Sequence, residues 1–302
     1  MDDARQKADY RALIHDSPGL TTKESDDWIA DAITKGDACL VARLGGTECR
    51  LILRHSMRQQ RNWLDKTYAL AKHHELPFWL PWQDRQIRNL SGFYPVTRSS
   101  VKRFVEESFE DMAEIDLLGS WVEGENQIIH ALQHSTLTTL GNLSPIGNPR
   151  PWTRALEGKR VLVIHPFAKT IEDQYQKRTL LFEDPSLLPE FDLVTIPAVQ
   201  SLRHAPAEFD TWFDALDSMM KKAFNQEFDV AIIGAGAYGL PLGASIKRHG
   251  KIAIVLGGVL QLLFGIKGTR WDGSGLYNDH WVRPRSDETP QSFQKVEGGA
   301  YW

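Results

Sequence analysis

The residues with the clearest chemical potential are the glycines of the segment Gly234-Ala-Gly236-Ala-Tyr238-Gly239. This segment follows the apolar run DVAII and precedes a stretch with helical periodicity, which is the setting of a phosphate-binding turn. Glycine lets the backbone turn sharply and approach an anion, and the following helix N-terminus supplies free N–H groups. The pattern predicts that Gly234, Gly236, Tyr238 and Gly239 bind phosphate or ribose; the alternative is a tight turn without a ligand.

NAD-binding domains carry a similar glycine pattern, together with an acidic residue about 20 positions further on that holds the ribose. In this sequence the next strand-like run, KIAIVL, ends in Gly257-Gly258 and offers no Asp or Glu. We therefore expect no NAD cofactor, and an NAD(P)-dependent oxidoreductase of Rossmann type ranks second. A sugar nucleotide fits the turn better.

A second glycine corner, Arg43-Leu-Gly45-Gly46-Thr-Glu48, follows the apolar run ACLVA and precedes another helical segment. Arg43 and the backbone at Gly45 and Gly46 are candidates for contact with the same ligand. Glu48 is a candidate for a metal ligand, a sugar contact or a general base. The alternative is a carboxylate that only stabilises the first turn of its helix.

A third group surrounds His165, at the end of the strand-like run KRVLVIHPF. In the next predicted helix, Gln174 is spaced three residues from Lys177 and four from Arg178, so the three side chains would share one face. A His with two cations suits a diphosphate or a leaving group whose charge grows. Gln200 follows another strand-like run and could add neutral donors. The alternative is a solvated basic face.

The last group lies near the C-terminus. Gln261 is a candidate for reading a base or sugar, Lys267 and Arg270 for holding phosphates, and Trp271 for stacking on a ring. The chain ends in Tyr301-Trp302 without a polar tail, so we expect this end to be docked on the domain.

Strand-like and helix-like segments must position these residues, and they alternate from about residue 160 to 255. The strand-like runs are apolar throughout, as in parallel strands covered by helices on both faces. Upstream, we expect a helix capped by Ser25 and ended by Gly36, and an amphipathic helix over 99–118. The predicted fold class is α/β, with a Rossmann-like, mostly parallel sheet, helices on both faces and helical additions at the N-terminus.

The Pro- and Gly-rich stretch 141–153 suggests two regions. Residues 1–150 would form an N-terminal α/β region with the Arg43–Glu48 turn and a helical insertion. Residues 151–302 would form a Rossmann-like nucleotide-binding region. We expect the two to pack as one continuous globule.

Composition excludes several classes of function. The 302 residues include 35 Lys plus Arg and 39 Asp plus Glu, a formal net charge of −4, so no nucleic-acid partner is expected. The chain lacks an apolar run of about 18 residues and starts without signal-peptide features, which predicts no transmembrane segment and a cytoplasmic protein, with a peripheral place at the inner membrane face left open. Cys39 and Cys49 lie in apolar surroundings and are expected to be reduced.

Two of these segments resemble a known family. Arg43–Glu48 resembles the R-x-G-D-G-E element near the N-terminus of bacterial GT-D-type glycosyltransferases, and residues 228–264 resemble their C-terminal strand, glycine turn, helix, strand and second glycine turn. From about residue 160 onward the chain is also similar to uncharacterised proteins of bacterial surface-polysaccharide gene sets. The family's D-x-E pair is incomplete here, because Gly46 takes the place of the Asp.

The resemblance implies transfer of a sugar from a nucleotide-diphosphate donor to a glycan or lipid-linked glycan acceptor in surface-polysaccharide (capsule) biosynthesis. It also implies a divalent metal, Mn²⁺ or Mg²⁺, for which Glu48 is the one matching ligand. On this hypothesis Glu48 or His165 is the general base, and four cations stabilise the departing diphosphate: Lys177, Arg178, Lys267 and Arg270. A non-catalytic nucleotide-sugar-binding protein is a further alternative, and a homo-oligomer stays open.

Overall fold

The structure is a computed structural model that describes residues 19–60, 85–122, 124–125, 128, 132, 135–200, 208–290, 293–295 and 297–302. Its strands are β1 Cys39–Ala42, β2 Leu117–Ser120, β3 Thr136–Thr139, β4 Arg160–His165, β5 Asp192–Pro197, β6 Val230–Ile233 and β7 Ile252–Val255. Its α-helices are α1 Thr22–Lys35, α2 Gly46–Gln60, α3 Arg85–Ser91, α4 Arg98–Met112, α5 Ala168–Tyr175, α6 Arg178–Leu181, α7 Trp212–Phe224, α8 Gly239–Arg248 and α9 Leu260–Leu263. Short 3₁₀ helices lie between them at Leu140–Leu143, Trp152–Leu156, Pro185–Leu187, Gly236–Tyr238, Gly257–Val259, Thr269–Trp271, Ser286–Glu288, Phe293–Lys295 and Glu297–Gly299.

The strands form one seven-stranded sheet in the order β3-β2-β1-β7-β6-β4-β5. Every neighbouring pair is parallel. The predicted α/β class with a parallel sheet is thereby confirmed. Because β1 pairs with β7, the sheet joins strands of region 1–150 to strands of region 151–302.

Successive residues of the central strands face opposite sides of the sheet. Leu40 and Ala42 of β1 belong to one buried hydrophobic cluster, whereas Cys39 and Val41 belong to another. Strands β6 and β7 divide their residues between the same two clusters. The centre of the sheet is therefore buried on both faces, which explains why β1, β6 and β7 are apolar at every position.

The direction of the connections changes within the sheet. Strand β4 is followed by β5 on its outer side, whereas β6 is followed by β7 on the opposite side. In open parallel sheets, ligands bind beyond the carboxyl ends of strands where the winding reverses in this way. The carboxyl ends of β4 and β6 are therefore the first place to look for a site.

Two details of the predicted elements were wrong, and a third was confirmed. Helix α1 is capped by Thr21, whose side chain forms a capping box with Glu24, and Ser25 lies buried one turn inside the helix. The helix expected over 99–118 ends at Met112, and the next apolar residues form β2. Gly36 does end α1, in the left-handed conformation with φ of 76°.

The remaining expectations concern the cysteines and the membrane. Cys39 and Cys49 are both free and buried, and burial raises the pKa of each thiol to about 12. Among the described residues, no helix combines the length and the apolar character required to cross a bilayer.

Candidate functional site

A cleft of about 700 Å³ opens at the carboxyl edge of the sheet. Its walls come from the segments that follow all seven strands, together with parts of α3 and α4 and the C-terminus. Both glycine corners border it. The residues predicted from sequence that line it are Arg43, Gly45, Gly46, Glu48, His165, Gln200, Gly234, Gly236, Tyr238, Gln261, Arg270 and Trp271.

The strand order sets the distance between the two glycine corners. The corner at 45–46 follows β1 and the turn at 234–236 follows β6, with β7 between them. Neighbouring strands lie about 4.8 Å apart, so the two corners are separated by roughly 10 Å along the edge. That distance suits one ligand of the size of a diphosphate with its attached groups.

The glycines of the 234–239 turn have different tasks. Gly236 has a φ of +54°, and a Cβ built on it would enter open space. At Gly234 a Cβ would lie 2.6 Å from His165 Cδ2 and 2.8 Å from the Gly257 carbonyl oxygen, so close packing requires this glycine. Gly239 packs against Val255 and does not line the cleft. Gly236 is therefore the glycine of the turn that borders open space in the cleft.

Tyr238, predicted to bind the ligand, is mainly a core residue. Its side chain is buried, and its ring stacks on Trp212 with centroids 4.7 Å apart and planes 8° apart. Tyr238 also lines the cleft, as the last residue of the 3₁₀ turn that leads into α8.

Arg43 directly follows β1 and Glu48 lies in the first turn of α2, and glycines make room for both side chains. A Cβ on Gly45 would lie 2.0 Å from Glu48 Oε2, so the carboxylate folds directly over this glycine. A Cβ on Gly257 would lie 2.3 Å from Arg43 Nη2. Within the described part of the chain, neither charged group has an ion pair or a hydrogen bond. Both are therefore available to a ligand.

His165 is held as a neutral hydrogen-bond donor. The backbone N–H of Phe167 donates to its Nδ1 at 3.0 Å, so the ring proton belongs on Nε2. Burial lowers the pKa of His165 from 6.5 to about 3. Among the described residues, Nε2 has no hydrogen-bond partner, and the ring lines the cleft. This arrangement fits a donor to the ligand better than a general base.

Gln261 joins the C-terminus to the cleft. Its Nε2 donates to the carbonyl oxygens of Lys267 at 3.1 Å and Tyr301 at 3.0 Å, which fixes the orientation of the amide. The opposite atom, Oε1, is buried and has no partner among the described residues. The expected docking of the chain end is confirmed, since the Trp302 carbonyl also accepts from the Thr269 N–H. Tyr301 and Trp302 line the cleft.

The structure separates three of the predicted phosphate-binding cations from the cleft: Lys177, Arg178 and Lys267. The shared helix face predicted for the first two was wrong, because α5 ends at Tyr175 and Lys177 is the N-cap of the separate short helix α6. Arg178 pairs with Glu190 at 2.6 Å. Lys267 Nζ lies 5.5 Å from the Tyr277 ring centroid.

Gln174, the third member of that predicted face, is buried and donates to the carbonyl oxygens of Gly265 and His280. The nearby Lys169 pairs with Asp287, and Glu288 caps the N-terminus of α5 by accepting from the Lys169 and Thr170 N–H groups. The start of α5 therefore holds the C-terminal segment rather than a ligand.

Trp121 and Arg50 also line the cleft, and neither was predicted as a site residue. Trp121 follows β2, a strand that sequence periodicity assigned to the preceding helix. Its side chain is 41% exposed, yet its Nε1–H donates to the Leu44 carbonyl oxygen at 2.7 Å. The Arg43 guanidinium lies 5.6 Å from its ring centroid.

The charges around the cleft favour an anion. Among the described lining residues, the cations Arg43, Arg50 and Arg270 stand against one carboxylate, Glu48. The described residues also contain no group of three Asp, Glu, His or Cys that could hold a metal. One carboxylate does not make a resident metal site, so we derive no step through a metal ion.

The state of His165 gives a testable result. Between about pH 5 and pH 8 the Cε1–H proton signal of His165, assigned by its loss in His165→Gln, should keep a constant chemical shift, because the ring stays neutral. A signal that titrates near pH 6.5 would contradict the arrangement.

Protonation of His165 also affects stability. Since the folded-state pKa is about 3 and the ordinary value is 6.5, the unfolded state binds this proton more readily. The contribution of His165 to the free energy of unfolding therefore falls as the pH drops from 6.5 towards 3. The matched His165→Gln variant should lose that part of the pH dependence in urea unfolding.

Comparison of the chain with protein-family models, with curated proteins and with solved structures gave no match. The likeness of Arg43–Glu48 and of residues 228–264 to GT-D-type glycosyltransferases is therefore a likeness of those segments alone. The functional argument depends on the parallel sheet and on the chemistry of its cleft.

Proposed function

We propose that this protein is a glycosyltransferase that moves a sugar from a nucleotide-diphosphate donor to a glycan or lipid-linked glycan acceptor. The observation that carries the proposal is the placement of Arg43, Glu48 and the Gly236 turn on one cleft at the carboxyl edge of a parallel sheet. A cation, a carboxylate and an anion-binding turn are the three groups that such a transfer needs.

The diphosphate is assigned to the space between the Gly236 turn and Arg43. The turn lies at the N-terminal end of the 3₁₀ turn Gly236–Tyr238 and of α8, where the backbone dipoles carry partial positive charge, and the Arg43 guanidinium offers donors from the β1 side. Negative charge grows on the diphosphate as it leaves, so a preorganised cation lowers the barrier of that step. Arg270 also lines the cleft and adds positive charge near the proposed diphosphate position.

Glu48 is assigned as the general base. Its carboxylate has no hydrogen-bond or ion-pair partner in the described chain and lines the same cleft as Arg43, which is assigned to the leaving group. The acceptor oxygen forms a bond to the anomeric carbon of the donor, and the bond from that carbon to the diphosphate oxygen breaks. The electron pair leaves with the nucleoside diphosphate, and Glu48 takes the hydroxyl proton.

His165 and Gln200 are assigned to the other part of the donor. They follow β4 and β5, on the far side of the Gly236 turn from Glu48. A neutral Nε2–H suits a hydroxyl or carbonyl oxygen of a ribose or base. In this assignment His165 takes no proton during the reaction.

A thermal-shift screen tests the ligand class. We expect inorganic pyrophosphate and at least one nucleoside diphosphate or its sugar derivative to raise the melting temperature, because they bind the folded state. Arg43→Gln should weaken that binding by about tenfold or more through loss of a charge-assisted contact. The control is Arg160→Gln, which also removes one charge but lies at the amino end of β4 and pairs with Asp192. Equal effects of the two variants, or stabilisation by NAD alone, would refute the assignment.

A pair of glycine variants tests the turn. Gly236→Ala and Gly250→Ala both place a methyl group in open space at a positive φ, +54° and +74° respectively. Each should lose about 1 kcal/mol of stability from the left-handed backbone. Gly236→Ala should also raise the pyrophosphate dissociation constant about tenfold, whereas Gly250→Ala, at the opposite edge of the sheet, should leave it unchanged.

Replacement of Glu48 tests the base. Glu48→Gln keeps the shape of the side chain but removes proton uptake, so turnover of the stabilising nucleotide sugar should fall about 10²- to 10⁴-fold. Donor affinity, measured by calorimetry, should stay within about threefold. An equal loss of turnover and affinity would make Glu48 a binding residue. Tight binding by the wild type with no nucleotide release would favour a non-catalytic sugar-nucleotide-binding protein.

A further inference from the structure

We propose that Trp121 forms an acceptor subsite, on which the apolar face of a sugar ring stacks next to Glu48. This inference rests on the proposed function and extends it from the donor to the acceptor. Three features of the molecule carry it: the exposure of Trp121 in a fixed position, its place in the strand order, and the chemistry of its neighbours.

Trp121 is exposed and yet immobilised. Its side chain is 41% exposed on the cleft wall, while the Nε1–H is tied to the Leu44 carbonyl oxygen at 2.7 Å. The edge of the ring rests on Gly46, where a Cβ would lie 3.4 Å from Trp121 Cη2. A ring held in this way offers a large apolar surface at little further cost in side-chain entropy.

The turn that carries Trp121 is also fixed. The buried Glu125 carboxylate accepts from the Trp121 N–H at 3.3 Å, the Val122 N–H at 3.1 Å and the Ser120 hydroxyl at 2.6 Å. Three donors on one carboxylate define the path of the backbone after β2. The exposed indole is therefore presented by a rigid support.

The strand order places Trp121 on the acceptor side. Along the edge, the segments that bear the site residues follow β2, β1, β7, β6 and β4 in that order. Trp121 follows β2, Glu48 follows β1 and the Gly236 turn follows β6. Glu48 thus lies between the proposed diphosphate position and Trp121. A hydroxyl that gives its proton to Glu48 and attacks the donor must come from the β2 side.

The indole face of Trp121 favours a sugar ring as its occupant. It binds the C–H face of a pyranose, and the Glu48 carboxylate, which lines the same cleft, accepts hydrogen bonds from hydroxyl groups. The Arg43 guanidinium lies 5.6 Å from the ring centroid and Arg50 adjoins the ring edge at Gly46, so the competing occupant is an anion, which the pyrophosphate measurement below distinguishes. A nucleobase would also stack on Trp121, but the proposed function places the nucleoside at the other end of the cleft, near His165 and Gln200.

Saturation-transfer NMR with simple glycosides tests the subsite without any donor. The probes are the methyl glycosides of glucose, galactose, mannose and N-acetylglucosamine. We expect transfer to the ring C–H protons of at least one probe in the wild type, a loss of at least about tenfold in affinity in Trp121→Ala, and retention of most of the binding in Trp121→Phe, which keeps a stacking ring. Phe224→Ala is the control, since it removes another exposed aromatic side chain, 36% exposed, that does not line the cleft.

The pyrophosphate thermal shift is measured on the same variants. An unchanged shift in Trp121→Ala shows that the variant is folded and that the donor side is intact. Absence of glycoside binding to the wild type, or equal binding by wild type and Trp121→Ala, would overturn the subsite. Loss of pyrophosphate binding in Trp121→Ala would also overturn it, because Trp121 would then belong to the donor side. Trp121-dependent glycoside binding without any response to pyrophosphate or nucleotides would instead refute the proposed donor.

Discussion

Three glycines at the carboxyl edge of the sheet have no room for a side chain, and the cleft depends on all of them. Gly45 lies beneath the Glu48 carboxylate, Gly257 lies against the Arg43 guanidinium, and Gly234 lies between His165 and the Gly257 carbonyl group. Each close approach would be blocked by a single Cβ atom. Arg43, Glu48 and His165 reach the same cleft because the glycines between them carry no side chains.

The cleft is chemically asymmetric, and the asymmetry follows from the order of the strands. On its β1 side, the Glu48 carboxylate has no hydrogen-bond or ion-pair partner in the described residues, and the Arg43 guanidinium lies 5.6 Å from the Trp121 ring centroid. Its β4 side carries His165, which burial keeps neutral by lowering its pKa to about 3. A ligand with a charged centre and a neutral polar end would match this division. The docked C-terminus is tied to Gln261, which follows β7, and Trp302 packs against Phe167, which follows β4.

The sequence predicted the parts of the site that depend on parallel topology. Once the runs after residue 160 were assigned to parallel strands, the residues that follow them had to meet at one edge, as His165, Gly236 and Gln261 do. Lys177 and Arg178 were wrongly predicted to lie at this edge, because helical periodicity does not reveal that α5 stops at Tyr175. Trp121 was missed for the opposite reason, since the apolar spacing of α4 runs on into β2 and hides a strand. The state of His165 depends on one backbone N–H and on burial, neither of which a sequence motif records.

Gly46 is the position where the segment Arg43–Glu48 differs from the R-x-G-D-G-E element, and it also borders Trp121 in the cleft. The family that this segment resembles carries an Asp at that position, and here the missing side chain leaves the edge of Trp121 seated on the backbone, 3.4 Å from where a Cβ would lie. With glycine at position 46, the described lining of the cleft carries one carboxylate, Glu48, and three arginines. Under the proposed function this has two coupled effects: arginine neutralises the leaving diphosphate, and the edge of the Trp121 ring packs against the backbone. An Asp at this position would extend towards the Trp121 ring edge and Arg50.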